Sequence, residues 1–397
     1  MVTAAQPTVV LQGITAPGVE VNPNAFFPAT RRMRYQMQSL ANISGLGSTD
    51  SVTLRKSGII SQLLIRVTGS LVFGGTITGT TMSYRWPYDL VRACRVSANG
   101  QANLVNVPGR ILKAVQFMRP GITDEGVGRT FGALTAQNVG TMAMSADDWG
   151  TSGANQLGPG ATVPATGTYT VDLYYVVPVA FDQRTLLGAV FAQTDATNLT
   201  LDIDWETQAN LVTLGGSATL TTPPALQWQV LGTVYTIPQV GGRFVVPDLS
   251  AFHQLVSSRT TALGQGDNEV LLPGTGIGRQ LMRVIYQVYT GTAPGTPLAM
   301  TATNYGQQAW RYGGNDTPES YVNGSQLRAL NEDLFSVDFG KLWGFGIHDF
   351  AGEWALRDSV DEGSTSDLRF LTNLVASPTT PACEFAQQTI FAAPVGA

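Results

Sequence analysis

Residues Tyr169-Thr-Val-Asp-Leu-Tyr-Tyr-Val-Val177 and, a little further on, Leu199-Thr-Leu-Asp-Ile-Asp-Trp205 decide the fold class. The second stretch alternates strictly between apolar and polar, the pattern of a strand with one dry face and one wet face. The first also reads as extended, but its last residues are apolar on both faces, so that end is expected to be covered on both sides. The same texture recurs along the chain as short β-branched or aromatic runs. They fall at Ile59–Val67, Ser70–Thr78, Leu226–Ile237, Arg279–Tyr289, Leu342–Phe350, Leu368–Leu374 and Cys383–Phe391. Turn chemistry separates them, as at Ala98-Asn-Gly100, Gly74-Gly75 and Pro159-Gly-Ala-Thr-Val-Pro164. Many short strands with Gly- and Pro-rich turns predict an all-β sandwich or barrel.

Helical signals are few. Asp182–Val190 and Asp248–Val256 each open on an aspartate suited to an N-cap, and Ser325–Phe335 places Leu327, Leu330 and Leu334 on one face. Two long, Gly-, Thr-, Asn- and Ala-rich stretches, Arg119–Gly167 and Ala293–Gly324, read as loops. Pro238-Gln-Val-Gly-Gly242 breaks the strand pattern and marks a seam, with an all-β unit of comparable size on either side. The expected units are therefore 1–35, an arm, then 36–238 and 239–397.

Composition agrees and excludes much else. Of 397 residues 13% are charged and 43% hydrophobic, with 44 Gly and 21 Pro. Disordered chains need the opposite balance, and long-helix proteins need runs of Ala, Glu, Lys and Leu. No stretch reaches the ~18 apolar residues of a membrane-spanning helix, and Met1–Gln12 lacks the basic and apolar regions of a secretory signal. A net charge of −5 argues against a general nucleic-acid coat. Two cysteines, Cys94 and Cys383, cannot build a disulfide framework.

Catalytic chemistry finds little to work with. The two histidines are His253 and His348. His348 and Asp349 are adjacent, so in a strand they point to opposite faces, which rules them out as a catalytic couple. Gly274-Thr-Gly-Ile-Gly278 precedes a strand rather than a helix, and neither it nor Gly45-Leu-Gly47-Ser48 is followed by a phosphate-binding lysine. Asp358-Ser-Val-Asp361-Glu362 is the densest acidic loop but lacks the ligand spacing of a calcium loop, so a solvated loop is expected there. No enzyme, cofactor or metal is expected. One cluster remains, in which Arg31, Arg32 and Arg34 are interleaved with Phe26, Phe27 and Tyr35. It suits an anionic membrane surface or nucleic acid, or an arm docked on a neighbouring subunit, the reading preferred here.

Four segments, in order, resemble the major capsid proteins of tectiviruses, membrane-containing bacteriophages with a double jelly-roll coat protein. They are Gly58–Thr68; Asp89–Val96 with Asn99-Gly-Gln101; Tyr174-Tyr-Val-Val-Pro-Val-Ala-Phe181 running through Leu187-Gly-Ala-Val190 to Leu199–Trp205; and Leu226–Ile237 joined to Phe244-Val-Val-Pro-Asp-Leu-Ser250. They cover most of 58–290. The family's polar, Gln-rich helical N-terminus has no counterpart, because Pro7, Pro17, Pro23 and Pro28 predict an extended arm.

The resemblance implies two eight-stranded jelly rolls side by side. It implies a structural protein whose pseudo-hexagonal homotrimers tile an icosahedral shell around an internal lipid membrane and a double-stranded DNA genome. Its partners would be copies of itself, vertex (penton) and minor capsid proteins and the viral membrane, with no direct sequence-specific nucleic-acid contact. Assembly would take place in the host cytoplasm. The two long loops would form towers or clasps, and Arg31, Arg32 and Arg34 would face inward, toward lipid or a neighbouring subunit. The competing readings are a trimeric phage spike or carbohydrate-binding receptor protein and an outer-membrane barrel, which shares the alternating strands.

Overall fold

The computed structural model describes residues 8–12, 14–118, 147–153, 155–193, 198–222, 224–272, 278–291, 295–312, 316–335, 344–351, 359–361 and 368–392. Pro23–Ala29 forms a short helix, α1, with Pro23 in its first turn and the Asn22 side chain accepting from the Ala25 N–H. Eight main strands follow, with shorter ones between them: β1 Arg32–Asn42, β2 Thr49–Thr53, β3 Ile59–Gly74, β4 Val91–Ala98, β5 Gln101–Val107, β6 Gly167–Pro178, β7 Leu199–Trp205 and β8 Ala225–Tyr235. Between β5 and β6 lies a helix, α2, Gly109–Phe117. The strands make two facing sheets, ordered β1-β8-β3-β6 and β2-β7-β4-β5. The first is extended beyond β6 by Asp148–Ser152 and Asn155–Gln156.

The second half repeats this plan. β9 Ala251–Thr260, β10 Gly266–Leu271, β11 Arg279–Thr290, β12 Tyr305–Tyr312, β13 Asp316–Tyr321, β14 Phe345–Asp349, β15 Arg369–Leu374 and β16 Ala382–Ala392 follow in sequence. A helix, α3 Gly324–Phe335, sits between the fifth and sixth of them, as α2 does in the first half. The sheets are β9-β16-β11-β14 and β10-β15-β12-β13, the same arrangement shifted by eight strands. Each half is a jelly roll, and the chain is a double jelly roll.

Each roll has its own dry interior. In the first, Leu63, Ile65 and Val67 of β3 with Trp228 and Val230 of β8 face Cys94, Val96, Leu201 and Ile203, and Trp205 meets Trp228 edge-on at 6.2 Å. In the second, Val284, Tyr286 and Val288 of β11 and Phe385 of β16 face Trp310, Phe370 and Leu374, with Tyr286 and Phe370 rings 4.5 Å apart. The rolls are also joined. β9 runs parallel to β5 through Leu255–Val105 and Val256–Asn106, which makes one continuous sheet of strands from both halves.

Several expectations change. Ile59–Val67 and Ser70–Thr78 are one long strand as far as Gly74. Asp248–Val256 is not a helix: Asp248 does cap a turn, accepting from the Ser250 N–H at 2.9 Å, but the chain then enters β9, which pairs with β16 over ten residues. Sheet pairing outweighs the cap. Asp182 likewise accepts from the Arg184 and Thr185 N–H groups, yet Leu186 turns to φ +60° and Gly188 to φ +77°, so the helix never continues. The stretch Ala293–Gly324, read as a loop, contains the β12–β13 hairpin. α3 does form, but its buried stripe is Gly324, Leu327, Asn331 and Phe335; Leu330 and Leu334 are exposed. Most of Arg119–Gly167, together with Leu342, Asp358 and Glu362, lies outside the described residues.

Candidate assembly site

Nothing in the sequence signals α2, yet through Arg110 it reaches across to the second roll. Pro108 supplies its N-cap position, and all nine residues from Gly109 to Phe117 are buried, including Arg110, Lys113 and Gln116. Ile111, Leu112, Val115 and Phe117 share one continuous core with Phe252, Leu255, Ile285 and Ala386 of the second roll. A fully buried Ile, Leu or Phe contributes about 1.5–3 kcal/mol, so burying α2 is a large part of what holds this core together.

The buried charges of α2 are each answered. The Arg110 guanidinium, 1% exposed, bonds through one nitrogen to the Asp89 carboxylate and through another to Glu384 on β16, and stacks over the Tyr289 ring at 4.9 Å. Arg85 lies 3.7 Å from Asp89 and also covers the Tyr289 ring. Burial pushes the Asp89 carboxyl up to about 6, with Arg110 and Arg85 pulling the other way and Glu384 and Glu206 adding to the rise. Lys113 is paired with Asp147 at 2.7 Å, both fully buried, under the rings of Tyr88 and Tyr175; burial lowers its pKa. A cleft of about 330 Å³ opens beside the Arg110 cluster, lined by Arg85, Asp89, Arg92, Glu206, Arg259 and Glu384 among others.

The N-terminal segment closes the other side of the seam. In place of an extended arm, Thr8–Leu11 and Ile14–Pro17 form a hairpin, Val19–Val21 pairs in parallel with Phe244–Val246, and α1 follows. Gln12 is 3% exposed. Its amide donates to the carbonyls of Ala189 (2.7 Å) and Ala251 (3.2 Å) and its oxygen accepts from the Phe191 N–H (3.0 Å), so one side chain ties the first roll to the second. The described residues between 8 and 29 thus dock on their own chain. Arg31, Arg32 and Arg34 are all exposed at the start of the edge strand β1, with the Arg31 N–H donating to the Thr236 hydroxyl. Exposed Arg55 and Lys56 lie close in sequence to the start of β3, and Arg55 covers the Tyr35 ring of β1 at 4.9 Å. The sequence shows this charge plainly; it gives no sign of the docked arm.

The histidines are core residues. His348 is enclosed by Tyr286, Trp310, Phe350 and Phe370, bonds through Nδ1 to Glu319 at 3.1 Å, and has its pKa lowered by burial. Asp349 points the other way, to Arg283 at 3.0 Å. Cys94 and Cys383 are buried free thiols, both pushed up by burial, Cys94 to about 12. Among the described residues no group of three or more His, Cys, Asp or Glu side chains could hold a metal ion.

Comparison with solved structures finds this architecture in viral coats. The major capsid protein of Sulfolobus turreted icosahedral virus superposes with a TM-score of 0.63 at 14% identity, covering 92% of this chain and 98% of that one. The PBCV-1 capsid gives 0.55 at 11% identity, covering 93% and 96%, and the Faustovirus major capsid protein gives 0.54 at 8% identity, covering 92% and 90%. At such identities the likeness is one of fold. No curated protein matches by sequence. The model of the P3 major capsid protein N-terminal family matches residues 6–221, more than half of the chain. That family is structural, and no step of catalysis is asked of the buried charges or histidines. The chain belongs to the P3 major capsid protein family and is a viral major capsid protein, a component of the virion.

Proposed function

We propose that three copies form a pseudo-hexagonal homotrimer that tiles an icosahedral shell over an internal lipid membrane enclosing double-stranded DNA. The observation that carries this reading is the duplication itself. Two similar rolls in each chain, in the units 36–238 and 239–397, give three chains a nearly six-fold outline, and that outline packs a surface without gaps. Low charge supports extensive burial between copies, since permanent interfaces bury roughly 2,000–5,000 Å² and are more apolar than transient ones. Vertex and minor capsid proteins would complete the shell, which assembles in the host cytoplasm. Arg31, Arg32 and Arg34, near exposed Phe27 of α1, supply the contact with anionic lipid headgroups or a neighbouring copy.

Light scattering of the purified protein without detergent tests the trimer: a species three times the 42.2 kDa of the chain is expected, and a stable monomer at all concentrations would overturn it. Reversing all three arginines to glutamate should leave that trimer intact and block particle formation as seen by electron microscopy. Normal particles would remove the role given to these residues.

A further inference from the structure

Where the two rolls join, the edge of a fifth strand meets the edge of a first strand. β5 runs parallel to β9, with Val105 beside Leu255 and Asn106 beside Val256. In the eight-strand repeat β1 is the counterpart of β9, and β13 is the counterpart of β5. Both counterparts end their sheets: among the described residues β1 pairs only with β8 and β13 only with β12. Each chain therefore keeps open one edge of each kind that its own junction joins.

The register carries over as well. Each roll has one extra residue at the same point of its third strand. Ser61 separates the pairs Ile60–Val234 and Gln62–Thr233, and Met282 separates Leu281–Thr389 and Arg283–Gln388. Thr233 thus matches Gln388. Arg34 pairs with the first and Leu255 with the second, so Arg34 stands at the station of Leu255. On the other edge α2 starts at Gly109 and α3 at Gly324, and Val105 and Ser320 each lie four residues earlier. Val107 is buried, whereas its counterpart Val322 is 75% exposed. The peptide groups of β1 also face outward where they are needed. The Thr236 N–H donates to the Arg31 carbonyl at 3.0 Å, and hydrogen-bonded pairs alternate along an antiparallel ladder, so Arg32 and Arg34 turn their N–H and C=O groups away from β8. Such an edge is a template for another chain.

We propose that β13 of one copy pairs in parallel with β1 of the next, Ser320 beside Arg34 and Tyr321 beside Tyr35. The occupant is a second copy because the chain itself shows which edge a fifth strand of this repeat accepts, and every copy offers one of each. The contact is heterologous, so copies add head to tail, and three of them close a ring of six rolls. Main-chain groups make it, which leaves the Arg32 and Arg34 side chains free for the contact given to them above. It rests on the trimer reading and names the surfaces that join the copies.

The test is disulfide trapping in the full-length chain carrying Arg34→Cys and Ser320→Cys together. Both positions are exposed, and the native Cys94 and Cys383 are buried. Paired strands stand about 4.8 Å apart, within the roughly 4.4–6.8 Å that a disulfide spans between Cα atoms. Oxidised glutathione should give a species of three chain masses on a non-reducing denaturing gel, returning to one on reduction. Chains carrying only one of the two changes, produced together in one cell, should stop at two chain masses, because each has a single added thiol. Gln36→Cys in place of Arg34→Cys moves the thiol about 7 Å along the strand and should trap little; equal trapping would refute the register. If the parent is a trimer by light scattering and the double variant is not trapped, these edges do not meet, although the trimer stands. A monomeric parent would remove the trimer reading and this contact with it.

Discussion

Replacing Arg110 with methionine removes the one cation that lies between Asp89 of the first roll and Glu384 of the second. Methionine keeps most of the side-chain volume, so the loss is electrostatic rather than a cavity. The Asp89 side chain is 2% exposed and that of Glu384 13%, and Arg85, 3.7 Å from Asp89, then becomes its nearest cation. Breaking a buried pair from one side costs about 3–5 kcal/mol, and that is the expected loss by equilibrium denaturation at pH 8. The orphaned carboxyls can escape by taking protons. Asp89 already has its pKa raised to about 6 with Arg110 in place, and without Arg110 it rises further. The folded variant then binds protons that the unfolded chain, with ordinary carboxyls, does not. Its deficit should therefore shrink as the pH falls from 8 to 5. Adding Asp89→Asn and Glu384→Gln should bring the triple variant to within about 1 kcal/mol of the parent, since a neutral trio leaves no bare charge. A loss below about 1 kcal/mol at pH 8, or a deficit equal at pH 5 and pH 8, would refute the reading that Asp89 and Glu384 depend on Arg110.

Three further outcomes are expected. Gln12→Ala strands the buried Ala189 carbonyl and Phe191 N–H and frees the half-buried Ala251 carbonyl, and should cost about 2–6 kcal/mol by thermal or chemical unfolding, at about 1–3 for each of the two buried groups left unpaired. Gly69→Ala should be worse than a surface glycine change and give little soluble protein: φ is +143°, and the added Cβ would sit 2.0 Å from the Ala225 carbonyl oxygen on the neighbouring strand. Cys94 and Cys383, buried and with raised pKa values, should not react with a thiol reagent at pH 8 until denaturant is added; rapid labelling of the native protein would contradict their placement.

How far the fold could be read in advance depended on where each residue finds its partners. Strands such as Leu199–Trp205 carry their own two-residue period, and Leu281–Tyr289, buried on both faces between the two rolls, reads as a nearly continuous apolar run. Helix α2 was not legible because Arg110, Lys113 and Gln116 interrupt its apolar face, and the groups that make their burial tolerable lie as far off as Glu384. The turns at Asp182 and Asp248 carried true capping chemistry, but a cap speaks for one turn and the long β9–β16 ladder outweighs it. Leu330 and Leu334 looked like core and are not, because the helix is phased on Leu327, Asn331 and Phe335, with Asn331 holding the backbone of Ile347. The arginines at 31, 32 and 34 were visible as charge, but the hairpin and helix that dock just before them were not.

The position of β16 carries a consequence for synthesis. It lies between β9 and β11 in the middle of its sheet, and it brings Glu384 and Ala386 to the first roll. While the ribosome is still translating residues before 382, the first roll has all its strands but Arg110 of α2 lacks one of its two carboxylates. A chain released early would have β9 and β11 parted in its second sheet and Arg110 short of one carboxylate. Such a fragment should unfold more readily than the full chain, so the folding of the second roll waits on β16.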